Sequence, residues 1–233
     1  MTAAIIPARG GSKRIPRKNI VTIGGKPLIT HTLENLRASS AFSAIYVSTD
    51  CQETADIARN AGGIVHHLRP AEMSDDHTTI DAVMRYEIEA NDLQDDWIAQ
   101  VYATAILTPP RIFADAVRRV EAAPKDISFM MSLVPYPHPI QRAVALEEDG
   151  QVKMLSPENA RRRTQDLAPR YHDAAQFVFG RQKAWRSGQI VWDSPTLGYP
   201  LALTEAADID TPDDLEIAEA LLHAQLSKPV EPT

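Results

Sequence analysis

Residues 3–19, Ala3-Ala4-Ile5-Ile6-Pro7-Ala8-Arg9-Gly10-Gly11-Ser12-Lys13-Arg14-Ile15-Pro16-Arg17-Lys18-Asn19, run from a short apolar strand straight into a glycine-rich basic loop. Such a junction builds a phosphate site. Gly10 and Gly11 are expected to take backbone conformations closed to other residues and to bring amide N–H groups against phosphate oxygens, while Arg9, Lys13, Arg14, Arg17 and Lys18 supply countercharge. Those five cations stand in a chain of net charge -7. A merely solvated basic surface is the plain alternative. The spacing fits neither a P-loop, whose two glycines lie four residues apart before Lys-Ser/Thr, nor a three-glycine dinucleotide fingerprint.

Outward from this junction, apolar runs at 3–8, 44–49, 63–67, 97–103 and 127–134 read as strands, with helical patterns between them at 27–39, 52–61, 78–90 and 110–122. The strand runs are apolar throughout, as in a parallel sheet covered on both faces. In the first helical pattern Pro27 is placed at N1, with Leu28, Thr32 and Leu36 on one side. The alternation predicts an α/β fold with a doubly wound, mostly parallel, Rossmann-like sheet.

The pattern changes after Val134. Pro135, Pro137 and Pro139 force an extended connection, and runs at 142–147 and 151–155 flank a Glu148-Asp149-Gly150 turn, which reads as a hairpin leaving the main sheet. A polar segment at 159–173 and an apolar run at 176–179 follow, then a strand at 199–203 and a closing helix at 212–224 capped by Asp210-Thr211-Pro212-Asp213-Asp214. The organisation expected is one domain over 1–226, with an excursion at about 135–178 and a flexible tail at 227–233.

Composition narrows the class. A chain of 233 residues with 44% hydrophobic residues can bury a full core. The lone Cys51 excludes an intramolecular disulfide and a cysteine-based zinc site. No apolar run approaches membrane-spanning length, and Arg9 stands where a secretory signal needs its hydrophobic stretch, so a soluble cytoplasmic protein with no membrane partner is expected. The excess of 31 acidic over 24 basic residues argues against a nucleic-acid binder and for a focused site for a small anion such as a nucleotide.

Near the other end, Asp208 and Asp210 alternate around Ile209, so in an extended segment both carboxylates face one side. Two such carboxylates repel unless a cation lies between them, and Mg²⁺ suits one or two carboxylates plus phosphates and water. Asp210 has a second reading as N-cap of the final helix; Asp208 has none. His66, His67 and His77 lack ligand spacing and read as structural or solvated.

Five ordered segments carry a resemblance: Ile6-Pro7-Ala8-Arg9-Gly10-Gly11-Ser12-Lys13, Lys18-Asn19, Val47-Ser48-Thr49-Asp50, Arg69-Pro70-Ala71-Glu72 with Ser74-Asp75, and Asp208-Ile209-Asp210-Thr211-Pro212. Over most of its length the chain resembles the CMP-sialic acid synthetase (acylneuraminate cytidylyltransferase) family, which activates nonulosonic sugars as CMP derivatives. Tyr102-Ala103-Thr104-Ala105, His138-Pro139-Ile140-Gln141-Arg142 and Tyr171-His172-Asp173-Ala174-Ala175-Gln176-Phe177 are most similar to its pseudaminic acid branch. Ile106 departs from a common proline.

The resemblance implies CTP and a nonulosonic acid as substrates, pyrophosphate as leaving group, and Mg²⁺ held by Asp208 and Asp210. It implies that Arg9, Ser12, Lys13 and Lys18 hold the triphosphate beside Gly10 and Gly11, with catalysis resting on Arg9, Lys13 and the two acids. Asn19 contacts the nucleotide, Arg69 reaches the cytosine with Thr78 and Thr79 nearby, and Thr104 joins this set. Glu72 pairing or helix capping is the other reading of Arg69. Tyr102, Gln141, Arg142, His172, Asp173 and Gln176 are candidates to recognise the sugar; for Arg142 and Gln176 a subunit contact is an equal reading. In relatives the excursion is a dimerisation arm, so a homodimer is expected. The rival readings are another acceptor (neuraminic, legionaminic or 3-deoxy-octulosonic acid) and a noncatalytic nucleotide or nucleic-acid-binding module.

Overall fold

The apolar run that opens the chain forms β1 (Thr2–Pro7), and the pleat explains why nothing polar interrupts its middle. Ala4 and Ile6 enter one core cluster, Ala3 and Ile5 a second, so successive side chains serve opposite faces of the sheet. This computed structural model describes residues 1–227; residues 228–233 of the expected tail lie outside the described residues.

In chain order β1 is followed by β2 (Thr22–Ile23), β3 (Lys26–Pro27), α1 (Leu28–Ser39), β4 (Ile45–Ser48), α2 (Gln52–Asn60), α3 (Ile80–Ala90), β5 (Trp97–Val101) and α4 (Pro110–Glu121). Then come β6 (Phe129–Pro135), β7 (Val144–Leu146), β8 (Val152–Met154), β9 (Tyr171–Arg181), α5 (Gln182–Ser187), β10 (Thr196–Pro200) and α6 (Pro212–Leu226). Six strands form the main sheet in the order β10-β6-β9-β5-β1-β4. β1 runs parallel to β4 and β5, and β10 parallel to β6, while β9 lies antiparallel between β5 and β6. Helices α1, α2 and α4 pack their apolar stripes on one face through Leu33, Ala58 and Phe113. Helices α3 and α5 cover the other through Met84, Ile88 and Trp185. The result is the expected α/β architecture with a mainly parallel sheet.

Several local expectations change. Residues 63–67 make only the isolated bridge Tyr46–Ile64, because the chain enters through Gly62 at φ +88 and leaves after two ladder bonds. Pro27 is the N-cap of α1 and not N1. β6 continues through Pro135, and β9 takes in the polar residues Tyr171, His172 and Asp173 as well as the apolar run. β10 begins earlier than residue 199. The final helix is capped by Thr211, whose hydroxyl accepts from the Asp214 amide in a capping box, so Asp210 is not the cap. The excursion is a separate two-stranded sheet, β7 against β8, turned at Gly150 with φ +81.

Candidate active site

The loop after β1 is held down before it is charged. Ala8 N–H donates to Ser48 O (2.8 Å), Gly10 N–H to the Asp50 carboxylate (2.7 Å), and Asn19 Nδ2 to Arg9 O (2.9 Å), while Ile15 is buried. Neither Gly10 nor Gly11 has positive φ, contrary to expectation; the left-handed residue of this loop is Arg17, at φ 56. Gly10 is required by space instead, because a Cβ there would lie 2.9 Å from the Cys51 Cβ, whereas Gly11 faces open surroundings.

The anchored loop forms one wall of a cleft of about 560 Å³. Arg9, Ser12, Lys13, Arg14, Lys18 and Asn19 line it from this side; Arg69, Ser74, Asp75, Asp76 and Thr78 face them; Tyr102, Ala103 and Thr104 close the end of β5. Asp210 enters from the carboxyl-terminal segment. Lys18 Nζ joins the two ends of the chain, donating to Ile209 O (2.7 Å) and to Asp210 Oδ1 (3.1 Å), and Arg14 pairs with Asp210 at 2.8 Å. Across the cleft Asp76 binds Arg9 at 2.9 Å and also pairs with Lys13.

Arg69 sits at the base, only 5% exposed. Its Nε donates to Ser74 Oγ (3.0 Å) and one terminal nitrogen to Ser48 Oγ (3.2 Å), and Ser48 in turn donates to Glu87 (2.6 Å). Thus serines, not Glu72, hold it. Burial lowers its pKa, with Asp50 and Glu87 opposing. Thr78 reaches the cleft from a turn built by Asp75, which accepts from the His77 and Thr78 amides and the Thr78 hydroxyl. Thr79 instead caps α3. Ile106, fully buried, ties the β5 exit to α1 by accepting from Asn35 (3.1 Å).

Ile209 is fully buried, and Asp208 and Asp210 flank it as an extended segment requires. Asp208 has no hydrogen-bond or ion-pair partner among the described residues. Loss of water and the neighbouring Asp210 raise its pKa, with Lys18 opposing. Tyr102 is raised by burial and by Asp173 and Asp208, with Gln100 opposing. Asp76, by contrast, is lowered by Lys13 and Arg9.

The sugar candidates divide. Tyr102 lies in the cleft and Asp173 in an adjoining recess. Gln176 is fully buried, and its Nε2 donates to Ala174 O (2.7 Å), Ala175 O (3.0 Å) and Ala207 O (3.1 Å), so it straps β9 to the residue before Asp208 and does not reach the cleft. Gln141 donates to Ala168 O and Arg142 to Arg162 O within the excursion, and the His172 ring packs on Tyr136. None of these three lines the cleft. The residues that sequence reasoning missed are Asp76, Met73, Ile80 and Val83; the one available signal was an acidic pair, Asp75-Asp76, placed after a motif facing a basic loop.

An α/β sheet that carries an anchored basic loop at one strand end, opposite acids from the far end of the chain, defines a nucleotide-handling protein of the group-transfer kind. The match of residues 3–190 to the cytidylyltransferase family model shows that the chain belongs to that family. It is 37% identical over 220 residues, covering 93% of this chain and 94% of the relative, to a pseudaminic acid cytidylyltransferase of Campylobacter jejuni. It is 29% identical over 231 residues, covering 94% of this chain and 95% of the relative, to a CMP-N,N'-diacetyllegionaminic acid synthase of Legionella pneumophila. In fold it resembles a CMP:2-keto-3-deoxy-manno-octonic acid synthetase complexed with CTP, with TM-score 0.70, 17% identity, and coverage of 96% of this chain and 99% of that one. No helix among the described residues is long and apolar enough to cross a membrane.

Proposed function

We propose that the protein transfers CMP from CTP to the anomeric C2 hydroxyl of a nonulosonic acid, with pseudaminic acid the preferred acceptor. The hydroxyl oxygen bonds to the α-phosphorus, the α–β phosphoanhydride bond breaks, pyrophosphate leaves and a proton is released. The observation that carries this reading is the single cleft shared by the loop cations Arg9, Lys13 and Lys18 and by Asp210 from the other end of the chain. The kinship with the pseudaminic acid enzyme of C. jejuni selects the acceptor.

Arg9, Ser12, Lys13 and Lys18 hold the triphosphate, and their charge stabilises the pyrophosphate as it departs. Asn19 fixes the loop beneath it through Arg9 O. Arg69 and Thr78 stand on the facing wall for the nucleoside, with Arg69 kept in one orientation by its serines. Asp208 and Asp210 fit a divalent cation such as Mg²⁺: they are two carboxylates flanking a buried residue, and burial together with the repulsion of Asp210 raises Asp208. When bound, the ion supplies Lewis-acid stabilisation of charge on the phosphoryl oxygens. Gln176 keeps Asp208 in place by holding Ala207 O.

The β7–β8 hairpin bears Val144, Leu146, Val152 and Leu155 exposed by 54–75%. A second copy of the chain covers this face in the proposed homodimer, since a two-stranded ribbon cannot bury its own apolar side. Consumption of CTP supports a cytoplasmic location in this reading. The test is pyrophosphate release from CTP with Mg²⁺ across pseudaminic, legionaminic, neuraminic and 3-deoxy-octulosonic acids. Pseudaminic acid is expected to show the highest kcat/KM, by about tenfold or more, a margin of ~1.4 kcal/mol in transition-state binding. Release with none of the four sinks the proposal.

A further inference from the structure

Helix α3 buries Val83, Met84, Glu87 and Ile88. Three of these are apolar, as the stripe of a helix laid on a sheet requires, but Glu87 is an acid only 3% exposed. A buried carboxylate is unfavourable unless donors surround it, so the groups around this one say what it is for. Its Oε1 accepts from Ser48 Oγ (2.6 Å) and its Oε2 from Asn91 Nδ2 (2.9 Å), while His67 Nε2 lies 3.5 Å from Oε2. Asn91 merely closes α3. Ser48, the last residue of β4, leads to the cleft, because the Arg69 guanidinium donates to its Oγ (3.2 Å).

The direction of each hydrogen bond matters here. A serine hydroxyl has one proton, and at both serines that hold Arg69 it points away from the guanidinium: Ser48 donates to Glu87, and Ser74 to Pro70 O (2.9 Å). Both oxygens therefore turn lone pairs toward Arg69. Ser74 is oriented by the backbone, Ser48 by Glu87. The Arg69 main chain is fixed on the same strand end, where its N–H donates to Thr49 O (2.8 Å). With two of its N–H groups engaged by the serines, the fork keeps its remaining donors for the cleft that Arg69 lines. Ser48 is also a spacer. Among the described residues Arg69 and Glu87 make no direct ion pair, yet each lies in the other's field, as the upward pull of Glu87 on the Arg69 pKa shows.

We propose that Glu87 is a positioning residue of the nucleotide site: through Ser48 it holds the Arg69 guanidinium toward the nucleoside end of the cleft. The inference rests on the placement of Arg69 in the reading above and deepens it, since it ties that side chain to a helix whose first turn, Ile80 and Val83, lines the same cleft. Glu87→Gln cannot reproduce the link. With its carbonyl toward Ser48, its NH₂ group meets the Asn91 amide, another donor, and Asn91 cannot reverse without losing its bond to Glu87 O (2.9 Å). With its NH₂ group toward Ser48, the serine proton is turned toward Arg69. Ser48→Ala removes the spacer, so that Arg69 is drawn to the carboxylate and away from the cleft.

The test compares the wild type with Glu87→Gln, Ser48→Ala and the double variant in the pyrophosphate assay, and adds calorimetric binding of CMP, which lacks the departing phosphates. Each single variant is expected to raise KM for CTP about five- to tenfold, the scale of one charge-assisted hydrogen bond, and to weaken CMP by the same factor. The maximal rate and KM for the acceptor should stay within about twofold. The double variant should lose no more than the worse single one, because both break one link. Ile88→Val loosens the same helix face without touching the link, so its unfolding temperature should fall while KM for CTP holds. Equal rises in KM for CTP and acceptor, a fall in kcat with KM unchanged, additive losses in the double variant, or an unchanged KM in folded variants each overturn the role. Failure of both single variants to fold also overturns it, since the link would then serve the core and not Arg69. A wild type that neither binds CMP nor releases pyrophosphate sinks the functional reading itself, and this role with it.

Discussion

The two ends of the cleft handle charge in opposite ways. At the amino-terminal end Asp76 is matched by cations: it binds Arg9, pairs with Lys13 and is lowered below the usual carboxylate range. At the carboxyl-terminal end Asp208 lacks a protein partner among the described residues, and it is raised together with Tyr102 and Asp81 nearby. Asp76 is therefore balanced within the protein, as Asp210 is by Arg14 and Lys18, whereas Asp208 is set for something from outside it. This difference teaches more than net charge, because Asp76 and Asp210 line the same cleft and Asp208 stands two residues from Asp210.

The comparison breaks most visibly at Asp208. Asp208→Ala is expected to lower kcat by about 10²–10³-fold, as removal of an electrostatic element of transition-state stabilisation does, in a protein that still folds. Full turnover in the folded variant would refute the division. The same residue should show an inverted effect on stability. Its folded pKa lies above its unfolded one, so its ionised form opposes folding at neutral pH, and that opposition fades as pH falls through the folded value. Asp208→Asn should therefore stabilise the fold at pH 7, by less than about 1 kcal/mol after solvent screening, and give no gain at pH 3. A loss at pH 7 contradicts the sign.

A smaller effect separates the paired glycines at the balanced end. Gly10→Ala should destabilise by about 1–3 kcal/mol, because its Cβ would overlap Cys51, and should weaken CTP binding as the loop shifts. Gly11→Ala should stay within about 0.5 kcal/mol of the parent. Denaturant unfolding and CTP titration check both, and equal behaviour removes the claim that close approach places Gly10. The smallest effect is expected at Asp76. Asp76→Asn frees Arg9 and Lys13 and should lower KM for CTP by up to about fivefold, less at high salt. A raised KM would make Asp76 a positioning group and not a competitor of the triphosphate.

Much of the fold was legible because β1, β4 and β5 carry their faces in the local pattern, and a parallel strand covered on both sides reads as an unbroken apolar run. The alternation of Asp208, Ile209 and Asp210 was legible for the same reason, with Ile209 fully buried between them. β9 was not, since Tyr171, His172 and Asp173 are polar and become strand only by pairing with β6 beyond a register shift near Ser132. The Ser132 hydroxyl fills that irregularity, accepting from the Gln176 and Phe177 amides. Gln176 looked like a ligand-binding glutamine because nothing in the adjacent residues says that three carbonyls will surround its amide. Gln100 was hidden for the opposite reason: it sits inside an apolar strand, and only the packing of α3, α5 and the 190–192 segment around it shows that it lines a recess.

The placement of the three tryptophans has an optical consequence. Trp97 and Trp185 are each 1% exposed, whereas Trp192 is 70% exposed at the rim of the recess. Emission from the two enclosed indoles is shielded from aqueous quenchers, so iodide or acrylamide acts chiefly on the long-wavelength light of Trp192. The molecule thus carries a built-in fluorophore at the mouth of the recess, readable without a dye or a coupled enzyme.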